Sequence, residues 1–548
     1  MARCTINDVE CEFEDGQSIL AVAEAHGIVI PSYCWHPGLS VVANCRICLG
    51  EVAAPNPRND GKLETIPKLL PTCQTPATEG QVVTTLSPKA VANQNAVMEM
   101  LLLNHPIDCA VCDQAGECGL QDYAYRYGRT GRRCEEERVV QPKKDIGPHV
   151  LLYSDRCIMC TRCVRFTSEI TGTGELMIDG RGVTEQIDVF PGRPLDNPLS
   201  GNVIDLCPVG ALLDKDFLFA QRVWYLKSTP SIDGLTASGD NILLEHNEGE
   251  MYRIKPRENA AINRWWITDE LRYGWHFIND ESRCLMPTIK GTPAFEDHAA
   301  DTAWETAEAA AVDGLRAAGH IALLVSPMLS CEDAWQLGTL ARAIDPIAVL
   351  AVGPVPFDGH DQIMKDGFLI RSEKAPNARG VRRALESLGG EVLDGDAVEH
   401  ALGSDASICG LIVTGNYPNQ WITPELAAAV GDSRFTLLID TLPNALTASC
   451  NVLLPSATWM EKAGTFENAT GCMQSFKRAV SPKRWCKSEA QIAMDLLARL
   501  RGESPTRYCD AETRQAMADA GLAAMRNDVQ HPCEEDTQAE SDMHLIVL

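Results

Sequence analysis

The cysteines of this chain are clustered, and that clustering constrains its fold more than any other feature. Fourteen of the 22 cysteines lie in the first 207 residues, in tight sets, and the other eight are scattered singly over the rest. The start, MARCTINDVE, has no apolar core and no Arg/Ser-rich stretch, so we expect neither an export signal nor a transit peptide. In a reducing compartment clustered thiols are metal ligands. The sequence therefore predicts a metal-bearing N-terminal third and a conventional remainder.

Length and charge limit the remaining possibilities. At roughly 150 residues per domain, 548 residues predict three or four domains, and an apolar content of 45% is enough to bury real cores. The net charge of −27 argues against nucleic acid and anionic membrane surfaces as partners. No run of about 18 apolar residues is present, so we expect no membrane span.

The first set of cysteines follows a short strand–strand–helix pattern. Two strands surround an Asn7-Asp8 turn, and a helix follows with Ser18 as its N-cap and Gly27 after its end, which is the order of a β-grasp ferredoxin module. The spacing C-x10-C-x2-C-x24-C suits a loop around a [2Fe–2S] cluster, and a Cys4 zinc site is the alternative. The ligands of this set are Cys34, Cys45, Cys48 and Cys73.

The second set adds a histidine to three cysteines. A helix is predicted over residues 87–104, with Ser87 as N-cap and Pro88 at its first position, and His105 lies at its end. H-x3-C-x2-C-x5-C fits a Cys3His zinc site. We favour a [4Fe–4S] cluster, because the sequence offers no second zinc knuckle to accompany this set. A neutral imidazole in place of a thiolate would remove one negative charge from the cluster environment and alter its reduction potential. This set comprises His105, Cys109, Cys112 and Cys118.

The third set has the most specific spacing. CIMCTRC followed at a distance by CP is typical of a bacterial ferredoxin [4Fe–4S] site, and zinc rarely uses this triplet. Residues 170–206 contain no cysteine, so one cubane is expected. Basic residues beside the set would raise its potential, unless they form a solvated face. The ligands are Cys157, Cys160, Cys163 and Cys207, and the basic residues are Arg156, Arg162 and Arg165.

The rest of the chain contains no recognisable catalytic motif. From residue 228 short apolar runs alternate with Ala- and Glu-rich stretches, which predicts parallel strands in an α/β domain. No G-x-G-x-x-G follows a strand, and no Cys–His or Ser–His arrangement stands out, so we expect no catalytic residue. The eleven cysteines outside the sets are interpreted as small buried apolar residues. They are Cys4, Cys11, Cys134, Cys284, Cys331, Cys409, Cys450, Cys472, Cys486, Cys509 and Cys533.

The three sets, in this order, resemble the large iron–sulfur subunit of respiratory complex I. The resemblance is carried by ANCRICLGEV, NHPIDCAVCDQAGECGLQD and CIMCTRCVRF, and it implies that His105 is a ligand. The remainder more loosely resembles the molybdopterin-oxidoreductase-like domain of that subunit, which is implied to lack the pterin. That likeness is carried by a motif around Pro455, Glu461, Gly464, Thr465 and Asn468.

The resemblance implies a modular organisation. An α+β N-terminal region of iron–sulfur modules is followed by an α/β molybdopterin-oxidoreductase-like domain. The expected modules are a [2Fe–2S] β-grasp domain at 1–82, a His(Cys)3 [4Fe–4S] domain at 83–145, a ferredoxin-like [4Fe–4S] domain at 146–220, the degenerate molybdopterin domain at 221–505 and an acidic extension at 506–548.

One departure from the family is informative. Some bacterial members bind a fourth cluster through C-x2-C-x3-C-x27-C at the start of the molybdopterin-like domain. Oxygen side chains, which suit iron–sulfur iron poorly, occupy all four positions here, so we expect no fourth cluster. These positions are Asp233, Thr236, Asp240 and Thr268.

The implied function is electron transfer within NADH:quinone oxidoreductase. Electrons would come from NADH through a flavin on a neighbouring subunit and leave through iron–sulfur subunits towards quinone. The chain itself would hold one [2Fe–2S] and two [4Fe–4S] clusters, with no molybdopterin, FMN or NAD, in the peripheral arm on the cytoplasmic face of a bacterial inner membrane. The alternatives are a subunit of an NAD-linked formate dehydrogenase or hydrogenase, and a zinc scaffold without redox function.

Overall fold

The computed structural model describes residues 2–294, 300–431 and 433–532. The chain forms two compact units, one of Met1–Tyr225 with Met364–Phe368, the other of Leu226–Ile363 with Leu369–Leu548. The predicted sets of cysteines all fall in the first unit.

The first unit begins with a mixed sheet covered by one helix. The strand order is Val9–Phe13, Ala2–Ile6, Val82–Thr84, Leu49–Asn56 and Lys62–Thr65, with Leu70–Pro71 beside Leu49–Asn56. Ala2–Ile6 and Val82–Thr84 run parallel, and the other pairs are antiparallel. Helix Ile19–Ala25 starts at Ser18, whose hydroxyl accepts from Ala21 N, and Gly27 follows its end with φ +68°. The predicted strand–strand–helix order is confirmed.

Short helices and hairpins form the rest of the first unit. Helix Pro88–Leu102, capped by Ser87, confirms the prediction for residues 87–104 in type and start. The remaining helices are Gly119–Tyr127, Arg162–Arg165 with a π-turn over Phe166–Ile170, and Asn202–Leu206. Short 3₁₀ turns lie at Pro57–Asn59, Cys109–Val111, Ser154–Arg156, Gly182–Thr184 and Val223–Tyr225. The strands are Lys143–Asp145, Val150–Tyr153 and Leu212–Asp214 in one antiparallel sheet, and Leu176–Asp179 with Gln186–Val189 as a hairpin.

A large parallel sheet organises the second unit. Its strand order is Thr292–Pro293, Thr288–Ile289, Val452–Pro455, Phe435–Asp440, Gly410–Thr414, Ile321–Val325, Val349–Val352 and Val392–Leu393, and the last six run parallel. The predicted parallel α/β architecture is therefore confirmed. Smaller antiparallel sheets comprise Lys227–Ile232, Asn241–Asn247 and Glu250–Pro256; Gln362–Ile363 and Leu369–Ile370; and Gly464–Glu467 and Met473–Phe476.

Helices cover the parallel sheet with two separate apolar cores. Val325 and Ile412 contribute to one core, and Leu324 and Val413, their neighbours on the same strands, contribute to the other, as expected when alternate side chains point to opposite faces. The helices are Asp269–Tyr273, Ala300–Ala318, Cys331–Ile344, Ala378–Glu386, Gly395–Ser404, Pro424–Val430, Glu489–Arg501, Asp510–Asp519 and Ala524–Asn527, with 3₁₀ turns at His276–Ile278 and Trp459–Glu461.

The predicted acidic extension, 506–548, begins with packed helices. Met517 and Met525, from Asp510–Asp519 and Ala524–Asn527, are buried in a core of the second unit. The part of this extension from residue 533 onward lies outside the described residues. Across the described ranges, no helix combines the length and the apolar character needed to span a membrane.

Candidate iron–sulfur sites

The four cysteines of the first set meet as two close pairs. The Sγ atoms of Cys34 and Cys45 are 3.4 Å apart, and those of Cys48 and Cys73 are 3.5 Å apart. The Thr72 hydroxyl donates to the Cys48 carbonyl at 2.8 Å, which ties the two distant loops together. All four thiols that the spacing predicted are therefore brought together, although Cys73 is far from the others in sequence.

Hydrogen bonds between these thiols favour ionisation of two of them. The Cys34 thiol donates to Cys45 and lowers the pKa of Cys45 to about 5, and the Cys73 thiol lowers the pKa of Cys48 to about 7. The thiolate is the form of cysteine that binds metal. The donor set therefore fits a thiolate-ligated centre.

The third set lines a small enclosed cavity. Cys157, Cys160, Cys163 and Cys207 all contribute to its wall, with apolar neighbours such as Leu152 and Ile187. Between the three close cysteines the backbone is left-handed, at Met159 with φ +53° and at Thr161 with φ +61°. Few residues other than glycine adopt this conformation, and at these two positions it lets all three thiols face one cavity.

Burial is the main cause that raises the pKa of each thiol in the third set. A lone thiolate would be poorly solvated in this cavity. Binding to a positive iron centre would supply the missing stabilisation, so this donor set also fits a cluster.

The second set combines three thiols with a neutral imidazole. Cys109 begins a 3₁₀ turn and Cys118 precedes helix Gly119–Tyr127. After burial, the charge of Cys109 raises the pKa of Cys112, and the charges of Cys112 and Cys109 raise that of Cys118, so the three thiols lie close together. Burial lowers the pKa of His105 to about 4, and its Nδ1 atom is buried without a hydrogen-bond partner. A neutral imidazole with a free ring nitrogen is the form that ligates metal.

The second set lies directly against the third. Gly119 N donates to the Pro208 carbonyl at 3.0 Å, so the residues next to Cys118 and Cys207 are joined. A Cβ atom at Gly210 would lie 2.5 Å from Cys112 Sγ. The sequence analysis did not identify this glycine; its place in the CPVGAL stretch was the available signal.

Arg156 links the same two sets. It donates to the Asp108 carboxylate at 2.6 Å and to the Gly210 carbonyl at 3.3 Å, and its side chain is 4% exposed. Arg222 adds bonds from its own guanidinium to the carbonyls of Cys112, at 2.8 Å, and Ala110, at 2.5 Å. Arg156 therefore does not belong to a solvated face, which was the alternative for the basic residues near the third set.

The first set also approaches the third. Asn44 Nδ2 donates to the Met159 carbonyl at 3.1 Å, and Cys45 is close enough to Cys160 to raise its pKa, though by less than burial does. Tyr33 is a further neighbour that the sequence analysis missed. Its ring is fully buried, its hydroxyl donates to Met98 Sδ at 3.2 Å, and charge interactions connect it to both Cys45 and Cys118. The third set therefore contacts both other sets, and an aromatic ring lies between the first and second.

The four residues considered for a fourth cluster all have oxygen-bearing side chains. The Asp233 carboxylate accepts from Leu235 N at 2.7 Å, from Thr236 N at 3.0 Å, from the Thr236 hydroxyl and from the Ser238 hydroxyl at 2.8 Å. Thr268 caps helix Asp269–Tyr273 by accepting from Leu271 N. These side chains thus form hydrogen bonds with the local backbone and with one another.

The motif residues of the second unit have structural partners. Glu461 forms a buried ion pair with Arg283 at 2.7 Å, Thr465 N and Oγ1 donate to Glu332, and Asn468 Nδ2 donates to the Ser238 carbonyl. Pro455 ends a parallel strand, and a Cβ at Gly464 would lie 2.5 Å from Ser330 Cβ. This motif therefore stabilises the fold around the parallel sheet.

Cysteines outside the three sets vary in burial. Cys4, Cys11, Cys331, Cys450 and Cys486 are buried, as the sequence analysis expected. The expectation is wrong for Cys409, which is exposed because it precedes strand Gly410–Thr414 at the surface, and it holds only partly for the half-buried Cys134, Cys284, Cys472 and Cys509. Cys533 lies outside the described residues. Within the described ranges, no group of three or more Cys, His, Asp or Glu side chains is arranged to hold a single metal ion.

Five domain families match the chain, and the first three follow the order of the three cysteine sets. They are a 2Fe-2S iron-sulfur cluster binding domain at 1–88, the NADH-ubiquinone oxidoreductase-G iron-sulfur binding region at 94–133, the ferredoxin-like domain of NADH-quinone oxidoreductase subunit 3 at 147–213, the NADH-ubiquinone oxidoreductase NDSU1/NuoG-like 4Fe-4S domain at 226–276 and molybdopterin oxidoreductase at 423–499. The mixed fold class is therefore confirmed.

Similar proteins include NADH-ubiquinone and NADH-quinone oxidoreductase subunits from several organisms. The mitochondrial NADH-ubiquinone oxidoreductase 78 kDa subunit of Candida albicans is 37% identical over 371 residues, 67% of this chain and 49% of the relative. A bacterial NADH-quinone oxidoreductase subunit, from Rickettsia felis, is 34% identical over 346 residues, 63% of this chain and 49% of the relative. The chain thus spans about half the length of these relatives.

A solved structure of a NAD+-reducing [NiFe]-hydrogenase in the H2-reduced state shares 29% identity. It covers 40% of this chain and 91% of its own, with a TM-score of 0.35, which is too low to support an argument. The iron–sulfur domain families at 1–88, 94–133 and 147–213 follow the order of the three cysteine sets along the chain. The chain belongs to the family of the large iron–sulfur subunit of NADH:quinone oxidoreductase, respiratory complex I.

Proposed function

We propose that this chain relays electrons from the NADH/FMN-binding subunit of complex I towards quinone. The observation that carries the proposal is the presence of three sets of soft donors, close to one another, in one compact unit. Bound clusters would supply one-electron carriers, and the protein holds their ligands and shields them from water.

The ligand sets of the proposal are those of the sequence analysis. The first set would hold a [2Fe–2S] cluster, and the second and third sets a [4Fe–4S] cluster each. Paired thiols, a neutral imidazole and a cavity walled by cysteines support these assignments. The ligands are Cys34, Cys45, Cys48 and Cys73; His105, Cys109, Cys112 and Cys118; and Cys157, Cys160, Cys163 and Cys207.

The contacts between the sets support an order of transfer that differs from their order in the sequence. The third set is joined to the first through Asn44 and to the second through Gly119 and Arg156. We therefore propose that electrons pass from the first set to the third and then to the second. A chain of carriers at short separations is the physical requirement for such a relay.

The second unit has a scaffolding role in this proposal. The hydrogen bonds of Asp233 support the absence of a fourth cluster, although the matching domain family is named for 4Fe-4S. We also propose that the domain holds no pterin. At the carboxyl end of the parallel strands, the Asp440 carboxylate accepts from Asn416 N, Thr441 N and the Asn444 amide and so serves the local fold. No catalytic residue, FMN or NAD is assigned to the chain.

The partners and location are part of the same proposal. The names of the relatives support a place among the subunits of complex I, between the NADH/FMN-binding subunit and downstream iron–sulfur subunits. We propose the peripheral arm, on the cytoplasmic face of a bacterial inner membrane. We also propose modules at 1–82, 83–145, 146–220, 221–505 and 506–548; the matched families at 94–133, 147–213 and 423–499 each fall within one of them, and the first family, at 1–88, extends six residues past the first boundary.

The test is to purify the full chain anaerobically and to combine iron and sulfide analysis with low-temperature EPR. We expect about ten irons per chain, from one [2Fe–2S] and two [4Fe–4S] clusters, and three signals on reduction. A protein that holds zinc and has no reducible iron would contradict the proposal. Bound molybdenum would instead support a formate dehydrogenase-like function.

A further inference from the structure

Arg165 joins the ligand loops of the first and third sets. Its Nη2 atom donates to the carbonyl of Cys34 at 2.5 Å and to that of Cys160 at 3.4 Å, and Nη1 donates to the Ser40 carbonyl. The residue is 8% exposed. Because a guanidinium is a rigid fork of donors, one side chain can fix two backbone segments at a set separation.

Arg162 makes a second link between the same loops. Its Nη2 atom donates to the Trp35 carbonyl at 2.5 Å and its Nη1 atom to the Leu206 carbonyl at 3.3 Å. Trp35 follows Cys34 and Leu206 precedes Cys207, so this arginine again connects the first set to the third. Arg162 also lines the cavity of the third set.

The two guanidinium groups lie closer to thiols than to carboxylates. The favourable charge interactions of Arg165 are with Cys160 and Cys34 and, more weakly, with Glu169, and the Nε atom of each arginine is buried without a hydrogen-bond partner. A buried charge that is incompletely compensated is costly. A thiolate-ligated iron–sulfur cluster is net negative, because thiolates and sulfides outweigh the charge of the irons, and it would compensate these cations.

We propose that Arg162 and Arg165 are positioning residues that fix the spacing between the first and third sets and favour addition of an electron at the third. The inference rests on the proposed function, since it assumes clusters in both sets. Reduction adds one electron and no proton, so the cluster becomes more negative by one charge. The adjacent guanidinium groups stabilise that charge and thereby raise the potential.

The experiment compares variants of the full, anaerobically purified chain by EPR during titration with dithionite. Arg165→Gln removes the charge, Arg165→Lys keeps the charge but loses the fork, and Arg162→Gln tests the second link. Arg193→Gln is the matched control, because Arg193 is exposed and its guanidinium donates to the Thr173 carbonyl, away from the cysteine sets. The readouts are the midpoint potential of the third set and the magnetic interaction between the signals of the first and third sets.

For Arg165→Gln and Arg162→Gln we expect the equilibrium constant for reducing the third set to fall about tenfold, equivalent to about 59 mV for one electron. Arg165→Lys should keep the potential but weaken the magnetic interaction, and Arg193→Gln should change neither. If Arg165→Gln fails to fold, Arg165→Lys and Arg162→Gln decide the question.

Two failures are distinguishable. Unchanged potential and unchanged magnetic interaction in variants with full iron content would overturn this inference and leave the proposed function intact. A wild-type chain without reducible iron would overturn the proposed function itself.

Discussion

The third cysteine set matches a ferredoxin-like domain family and the loop around Asp233 matches a 4Fe-4S domain family, yet the side chains of the two regions are arranged differently. In the third set four thiols face one cavity, and the adjacent Arg162 and Arg165 keep buried Nε donors without partners. In the loop the Asp233 carboxylate is saturated by four donors from Leu235, Thr236 and Ser238.

The difference lies in whether the side chains are directed at a common space or at one another. In the third set the four thiols line a common space. In the loop around Asp233, the Asp233 oxygens accept hydrogen bonds from the loop itself. Asp240 Oδ2 has no hydrogen-bond partner, and burial, followed by the charge of Asp233, raises the pKa of Asp240 well above its usual range. Burial thus disfavours the charged form of Asp240.

The largest effect is expected from removing one thiol of the third set. Cys163→Ser should abolish that cluster, with a loss of about four irons per chain and of one EPR signal, because hydroxyl oxygen is a poor ligand for iron–sulfur iron. Iron analysis and EPR measure the loss. Cys450→Ser, at a buried cysteine of the second unit, is the control and should leave the iron content unchanged. Full iron retention in Cys163→Ser would remove Cys163 from the ligand set.

The next effect concerns a buried ion network in the second unit. Lys462 lies 2.9 Å from Asp333 and also pairs with Glu489, and all three side chains are at most 2% exposed. Lys462→Met leaves two buried carboxylates without a cation, so the free energy of unfolding should fall by about 3–5 kcal/mol, as measured by denaturant titration. The exposed Lys477→Met should change it by less than about 0.5 kcal/mol. An equal free energy of unfolding for both variants would contradict a stabilising role for the buried Lys462 ion network.

Removing the Asp233 carboxylate, the hydrogen-bond acceptor of the loop around Asp233, tests the comparison directly. Asp233→Ala orphans two backbone N–H groups and two hydroxyls, so we expect a loss of about 3 kcal/mol in the free energy of unfolding with unchanged iron content. Asp528→Ala, at an exposed carboxylate, is the control. Loss of iron in Asp233→Ala would show that this loop does hold a cluster.

The smallest expected effect is a shift in potential at the second set. His105→Cys replaces a neutral imidazole with a thiolate, so the cluster should persist while its midpoint potential falls, by roughly 59 mV for each tenfold change in the reduction equilibrium. An EPR-monitored redox titration measures the shift. His400→Cys, exposed and in the second unit, should have no effect. An unshifted potential would argue that the residue is not a ligand.

Much of the local structure was predictable because it depends on neighbours in the sequence. Ser18 and Ser87 cap their helices as expected, and the Asn7-Asp8 turn joins the first two strands, since caps and turns depend on a few adjacent residues. The burial of single cysteines was less predictable, as the exposed Cys409 shows. The burial of a cysteine depends on which distant parts of the chain pack against it, and a single sequence does not reveal those contacts.

The sequence by itself determined which donors belong together, because the spacing of thiols along a loop limits what one loop can enclose. It also determined that oxygen stands where a fourth set of thiols would be. Only the tertiary structure decided that the third set contacts both others and that Arg165 connects Cys34 to Cys160. Those links end on backbone carbonyls, which every residue has, so no side-chain pattern could reveal them.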